Sequence, residues 1–187
     1  MKKLAVFLAV TGVLALGYCV YSYVEARLYQ SKAALELEVK VPVPAEPAVR
    51  PHPAEGSVIA KLEIARLELS TVVVEGTGDS QLRVAAGHIR GTSPPGEGGN
   101  SGVAAHRDTF FRALRSVRID DVISVKTHDR EIEYRVVSTK IVSPKDVQVL
   151  APTEQETLTL VTCYPFNYVG AAPSRFIVRA ECTNCGR

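Results

Sequence analysis

The run TLTLVTCYPFNYVGAAPSR, Thr157–Arg175, decides how this chain is read. From Thr157 to Thr162 the residues are alternating β-formers, the pattern of a strand in a sheet. Pro165 has no N–H to give to a ladder, so the strand is expected to stop near Tyr164. Cys163 therefore arrives where a strand becomes a loop, a common position for a working residue on a rigid scaffold. Arg175 then opens a second β-rich run, RFIVRA. A thiol and a permanent cation bracket one loop.

Working outward from that element, more strands appear. SVIAKLEI and RLELSTVVVEG read as two strands, the second closed by Gly76 and Gly78. SQLRVAA, residues 80–86, reads as one or two helical turns stopped by Gly87, with His88 next. RGTSPPGEGGNSG, residues 90–102, is a long loop. It has neither the Gly-Lys-Ser/Thr nor the third glycine that the nucleotide-binding motifs require. VAA leads to His106-Arg107-Asp108, and DTFFRAL reads as a short helix with Asp108 at its start. VISVKT and EIEYRVVSTKIVS form a hairpin through His128, which is expected at an exposed tip; Ile132, Tyr134 and Val136 share the buried face. About eight short strands with scraps of helix imply a mainly β domain, a barrel or a sandwich.

The chain of 187 residues is long enough for one such domain plus attachments, and with 46% apolar and 22% charged residues it is neither disordered nor collagen-like. Residues 55–187 hold 16 Lys and Arg against 16 Asp and Glu, so the domain has no net charge and nucleic acid is not the expected partner. Arg107, Arg112, Arg115 and Arg118 form either a local basic patch or a solvated helix face.

Two attachments precede the domain. Lys2 and Lys3 precede the uncharged run Leu4–Val24, which at about 1.5 Å per residue can cross a bilayer core of about 30 Å. It lacks the small-residue cleavage site of a secretory signal, and bulky Tyr18 argues against lipidation of Cys19. Tyr18, Tyr21 and Tyr23 suit an interfacial belt, and the lysines favour an inside amino terminus. Residues 1–24 are thus expected to be an uncleaved signal-anchor in the cell membrane, with everything beyond outside. Residues 25–54 join helix formers to a proline-rich spacer, VPVPAEPAVRPHP, in which His52 is expected to be solvated. At the far end, Cys182 and Cys185 form either a local disulfide or a frayed tail. A zinc site that adds Cys163 is weakly supported without nearby histidines.

The chemistry open to the domain centres on Cys163. An imidazolium neighbour raises the thiolate fraction and can later protonate a leaving amine. His106 suits that role because it too ends a short strand, and strand ends cluster at one rim of a barrel. Arg175 offers a rigid fork of donors to a carbonyl oxygen gaining charge during acyl transfer. Spacing alone equally admits a buried cysteine, a core histidine and a surface arginine.

TLTLVTCYPFNYVGAAPSRFIVRA resembles the active-site segment of the sortases, the cell-surface cysteine transpeptidases, especially class D. GHIRGTSPPGEGGNSGVAAHRDTFFRAL resembles their second hallmark. The resemblance covers roughly residues 56–181. It implies a closed eight-stranded barrel over residues 55–187, with Cys163 as nucleophile, His106 as general acid/base and Arg175 stabilising substrate and oxyanion. It also implies a site-supporting Thr162, orienting through its hydroxyl, and His88 in a loop-ordering or substrate-rim position. The implied substrates are proteins with a C-terminal LPXTG-like sorting signal, cut between Thr and Gly, and an amine acceptor such as a peptidoglycan precursor. No cofactor or metal is implied. A pilin-polymerising sortase and a catalytically silent tethered barrel are the alternative readings.

Overall fold

The computed structural model describes residues 2–38 and 52–185. Most of the expected proline-rich spacer lies outside the described residues; His52, inside them, is exposed. The elements in chain order are α1 (Lys2–Glu38), β1 (Val58–Ile64), β2 (Leu69–Glu75), α2 (Asp79–Val84), β3 (Ala86–His88), β4 (Asn100–Ala104), β5 (Val122–Lys126), β6 (Glu131–Val142), β7 (Thr157–Tyr164) and β8 (Ser174–Cys182). Short 3-10 helices cover Ala65–Leu67, Arg112–Ser116 and Val147–Leu150.

The strands close into a barrel in the order β1-β2-β3-β4-β7-β8-β6-β5, with β5 pairing back onto β1. The β2–β3 and β4–β7 pairs are parallel and the others antiparallel. Closure leaves no exposed sheet edge. The period-2 pattern fixes which side chains turn inward: Leu62, Val73, Val103, Ile132, Tyr134, Leu158, Leu160 and Val178 fill one core and are almost fully buried. Burying each of the aliphatic ones contributes about 1.5–3 kcal/mol. Tyr134, buried with its hydroxyl donating to Glu156 Oε1 at 2.7 Å, is held neutral: burial, then that carboxylate, pushes its pKa far up.

Three expectations need correction. The helix read over residues 80–86 is α2, Asp79–Val84, and Ala86 belongs to β3. Gly87 is there for space rather than as a helix stop: a Cβ would lie 2.2 Å from the Gly76 carbonyl oxygen, so only glycine lets β3 approach the end of β2. The strand read from Val103 begins earlier, at Asn100, because Asn100–Ala104 pairs in register with Thr157–Val161. DTFFRAL forms turns and a 3-10 helix, Arg112–Ser116, with no side-chain cap.

The apolar run of α1 is fully exposed, unlike a core helix, while its outer third lies on the barrel. Gln30 accepts from the Val72 amide at 2.8 Å, just beyond the stretch of β2 that β3 covers, and donates to Val84 O at 2.7 Å. Arg83 pairs with Glu25 at 2.7 Å, and Ala33 packs with Val72, Val74 and Ala85.

Candidate active site

Cys163 is the penultimate residue of β7, and Arg175 is its direct partner on β8. Leu158, Leu160, Val178 and Ala180 face the core, so by alternation Cys163 and Arg175 fall on the outer face of the barrel wall. Directly opposed residues of an antiparallel pair hold their Cβ atoms about 4.5–5.5 Å apart. Both side chains are half-buried. The Arg175 guanidinium is steadied from below by the carbonyls of Ser174 at 3.1 Å and Ala172 at 3.4 Å, both reached from Nη1.

His106 reaches this corner on the other flank of β7. The β4–β7 ladder ends at Ala104 opposite Val161, and Ala105 extends it by donating to Val161 O at 3.2 Å. His106 and Cys163 each stand two residues beyond that last pair, at the same level of the wall. Val103 and Ala105 belong to the core, which turns His106 outward as Cys163 is. The thiol, the exposed imidazole and the guanidinium therefore occupy three adjacent strand ends on one face. Among the described residues neither the Cys163 thiol nor the His106 imidazole makes a hydrogen bond.

Thr162, buried between them, donates its hydroxyl to Ala105 O at 2.7 Å. That bond ties the residue before Cys163 to the residue before His106. Its neighbours Tyr164, Phe166 and Phe176 form an aromatic cluster, Phe166 and Phe176 at 5.4 Å, which supports the start of the β7–β8 loop.

His88 sits elsewhere, at the end of β3, and is buried with both nitrogens engaged. Nδ1 donates to Glu75 Oε2 at 2.8 Å, while Nε2 lies 3.0 Å from both Ser93 O and Thr92 Oγ1. Thr92 Oγ1 also accepts from the Gly102 amide at 3.0 Å. His88 thus pins the Gly/Pro loop that leads into β4, and its hydrogen bonds go to Glu75, Ser93 and Thr92 rather than to Cys163, His106 or Arg175.

Arg107, expected from sequence in a basic patch or on a solvated helix face, has a different task in the structure. Its Nη2 donates to Tyr168 O at 2.6 Å and Gly170 O at 3.2 Å, with the guanidinium 5.9 Å from the Tyr168 ring centre. It clamps the β7–β8 loop beside His106. Its position next to that histidine was the available signal; its loop partner, 61 residues on, was not visible.

Cys182 and Cys185 form a disulfide beside Glu156. Cys182 lies at the Glu156 end of β7, as its amide bond to Glu156 O shows, whereas Cys163 is near the opposite end. At about 3.3 Å per residue that is some 20 Å apart. The three cysteines do not converge, which removes the zinc reading.

Three comparisons bear on this arrangement. A family model described as the sortase domain matches residues 62–183. Sortase D of Bacillus subtilis (strain 168) is 29% identical over 192 residues, covering 95% of this chain and 97% of that protein. Sortase SrtE1 of Streptomyces coelicolor is 30% identical over 129 residues, 59% of this chain and 37% of that one. Among solved structures, the Clostridium perfringens Sortase D5 transpeptidase superimposes with a TM-score of 0.72 at 27% identity, over 83% of this chain and 98% of that one. The chain belongs to the sortase family, whose members are cysteine transpeptidases.

Proposed function

We propose that this sortase cuts an LPXTG-like sorting signal between Thr and Gly with Cys163 as nucleophile, His106 as general acid/base and Arg175 as oxyanion stabiliser. The observation that carries the reading is the cross-strand pairing of Cys163 with Arg175, with His106 level with them across β4–β7. The Cys163 thiolate attacks the threonine carbonyl carbon, forming the S–C bond and placing negative charge on the oxygen. Arg175 donates to that oxygen from nitrogens its own loop does not occupy. The charge collapses, the C–N bond to glycine breaks, and His106 gives its proton to the departing amine. An incoming amine then attacks the thioester, returns a proton to His106, and releases Cys163. The acceptor is an amine of the cell envelope, such as a peptidoglycan precursor. Thr162 positions the two reactive strand ends, and His88 orders the loop ahead of β4. α1 anchors the enzyme in the cell membrane with the barrel outside.

The test is intact mass measurement of the full chain after incubation with a Leu-Pro-x-Thr-Gly peptide. An adduct on Cys163 that lacks the glycine fragment, and that an added amine discharges, is expected. No adduct on wild-type enzyme would sink the assignment.

A further inference from the structure

Of the arginines of residues 107–118, Arg107 clamps the β7–β8 loop, whereas Arg112 and Arg115 face a groove. This groove, about 1150 Å³, lies between α1 and the barrel. One wall is the outer end of the apolar helix, with Tyr18, Cys19, Ser22 and Tyr23; the other is Asp108–Arg115, and His106 lies on its lining, whereas Cys163 does not. The 3-10 geometry of Arg112–Ser116 explains what that second wall presents. With three residues per turn, residues i and i+3 eclipse. Phe111 and Leu114 are accordingly both fully buried in the core, and Arg112 and Arg115 are both exposed on one side.

Other charges at the groove differ in their engagement. Arg83 is paired with Glu25, and Arg27 donates to Tyr23 and lies over its ring. Among the described residues Arg112 and Arg115 carry no hydrogen bond or ion pair. The carboxylates of Glu68, Asp79 and Asp108 also line the groove, so the basic character is local to the Arg112–Arg115 step.

We propose that Arg112 and Arg115 bind the phosphate of an anionic lipid of the outer leaflet, seated in this groove. The inference rests on the anchor reading of α1, from which the occupant follows. A groove whose wall is the aromatic outer end of a membrane helix opens at headgroup depth, where lipid is the adjacent medium. Two unpaired guanidinium groups on one side match a phosphodiester, and Arg forks bind phosphate bidentately. Gln30 and the Arg83–Glu25 pair hold α1 against the barrel, so the lipid completes a contact already begun by protein. The bound headgroup holds the His106 end of the barrel at the membrane surface.

The full chain, reconstituted in nanodiscs of mixed phosphatidylcholine and phosphatidylglycerol, tests this when released and weighed with its retained lipids by native mass spectrometry. Phosphatidylglycerol should be enriched over the bilayer composition on the order of tenfold. In R112E/R115E the enrichment should vanish, and in R112K/R115K, which keeps both charges, most of it should remain. Incorporation without any lipid preference would overturn the site while leaving the anchor intact, and a preference that persists in R112E/R115E would overturn the assigned residues. Displacement of the lipid by inorganic phosphate would mean a free-phosphate site, against the proposal. Failure to enter nanodiscs would remove the anchor and the proposal together. Adduct formation with the sorting peptide, measured on the same samples, reports separately on the catalytic reading.

Discussion

Cys163 and Arg175 are direct cross-strand partners in the antiparallel β7–β8 pair, on the outer face of the barrel. They stand twelve positions apart in sequence, but the ladder sets their distance and orientation, so the loop between them can vary without disturbing either. On the proposed reading, a guanidinium fixed to the same ladder as the thiol is preorganised for the charge that thiolate attack would create.

Replacing Cys163 with Ala is expected to abolish both peptide cleavage and the covalent adduct. Intact mass and release of the glycine fragment read the two outcomes, and cleavage at the wild-type rate would exclude the thiol from the chemistry.

Arg175→Lys keeps the charge but loses the fork. A fall in kcat/KM of about 10²–10³ is expected, the loss typical of removing one oxyanion donor. Steady-state kinetics with the sorting peptide measure it; a loss confined to KM would assign Arg175 to ground-state binding alone.

Thr162→Val preserves shape while leaving the Ala105 carbonyl without its hydroxyl partner, at a cost of about 1–3 kcal/mol. The bond sets the relative height of Cys163 and His106. The variant should therefore lose kcat with KM nearly retained, and Thr162→Ser should restore most of it. Equal defects in Ser and Val would show that the hydroxyl is not the relevant group.

The His88 cluster is expected to act through stability and loop order. His88→Leu removes the hydrogen bond to the buried Glu75 carboxylate, leaving it the Arg90 guanidinium at 3.7 Å, and should cost about 1–3 kcal/mol. Gly87→Ala forces a Cβ against the Gly76 carbonyl and should cost about 1–3 kcal/mol. Denaturant unfolding gives both values, and hydrogen exchange over residues 90–99 should rise in each variant.

Asp121 receives the Arg66 fork, the nearer contacts at 2.5 and 2.6 Å, and the Arg118 amide at 2.8 Å. The Arg66 hydrogen bonds hold its carboxyl below the ordinary value of 3.8. A carboxyl depressed in the folded state stabilises the fold above its unfolded pKa and stops doing so as pH falls through the folded one. The melting temperature gap between wild type and Asp121→Asn should thus be full from neutral pH down to the ordinary carboxylate range, and close below it. A gap independent of pH would assign the effect to packing.

Much of this was legible because strand periodicity is local. The alternation in Thr157–Thr162, the stop at Pro165 and the buried face of Ile132, Tyr134 and Val136 are properties of neighbouring residues, and each reappears in the barrel. The starts of β3 and β4 are not legible in the sequence because Ala86 and Asn100 join strands through partners elsewhere in the chain, Val73 and Thr157. Local propensity holds no record of such pairings. The loop-clamping contact of Arg107 is hidden for the same reason, since its partners lie at Tyr168 and Gly170.

By itself the sequence determined the class of fold, the apolar helix ahead of it, and the candidate side chains of the site, because patterning and residue chemistry are carried one residue at a time. Only the tertiary structure decided which of those side chains meet. Register places Arg175 opposite Cys163, the parallel β4–β7 ladder brings His106 level with them, and the same alternation turns His88 inward to Glu75. A shift of one residue in either ladder would reverse every facing. That register is set by the closed core and not by the motifs.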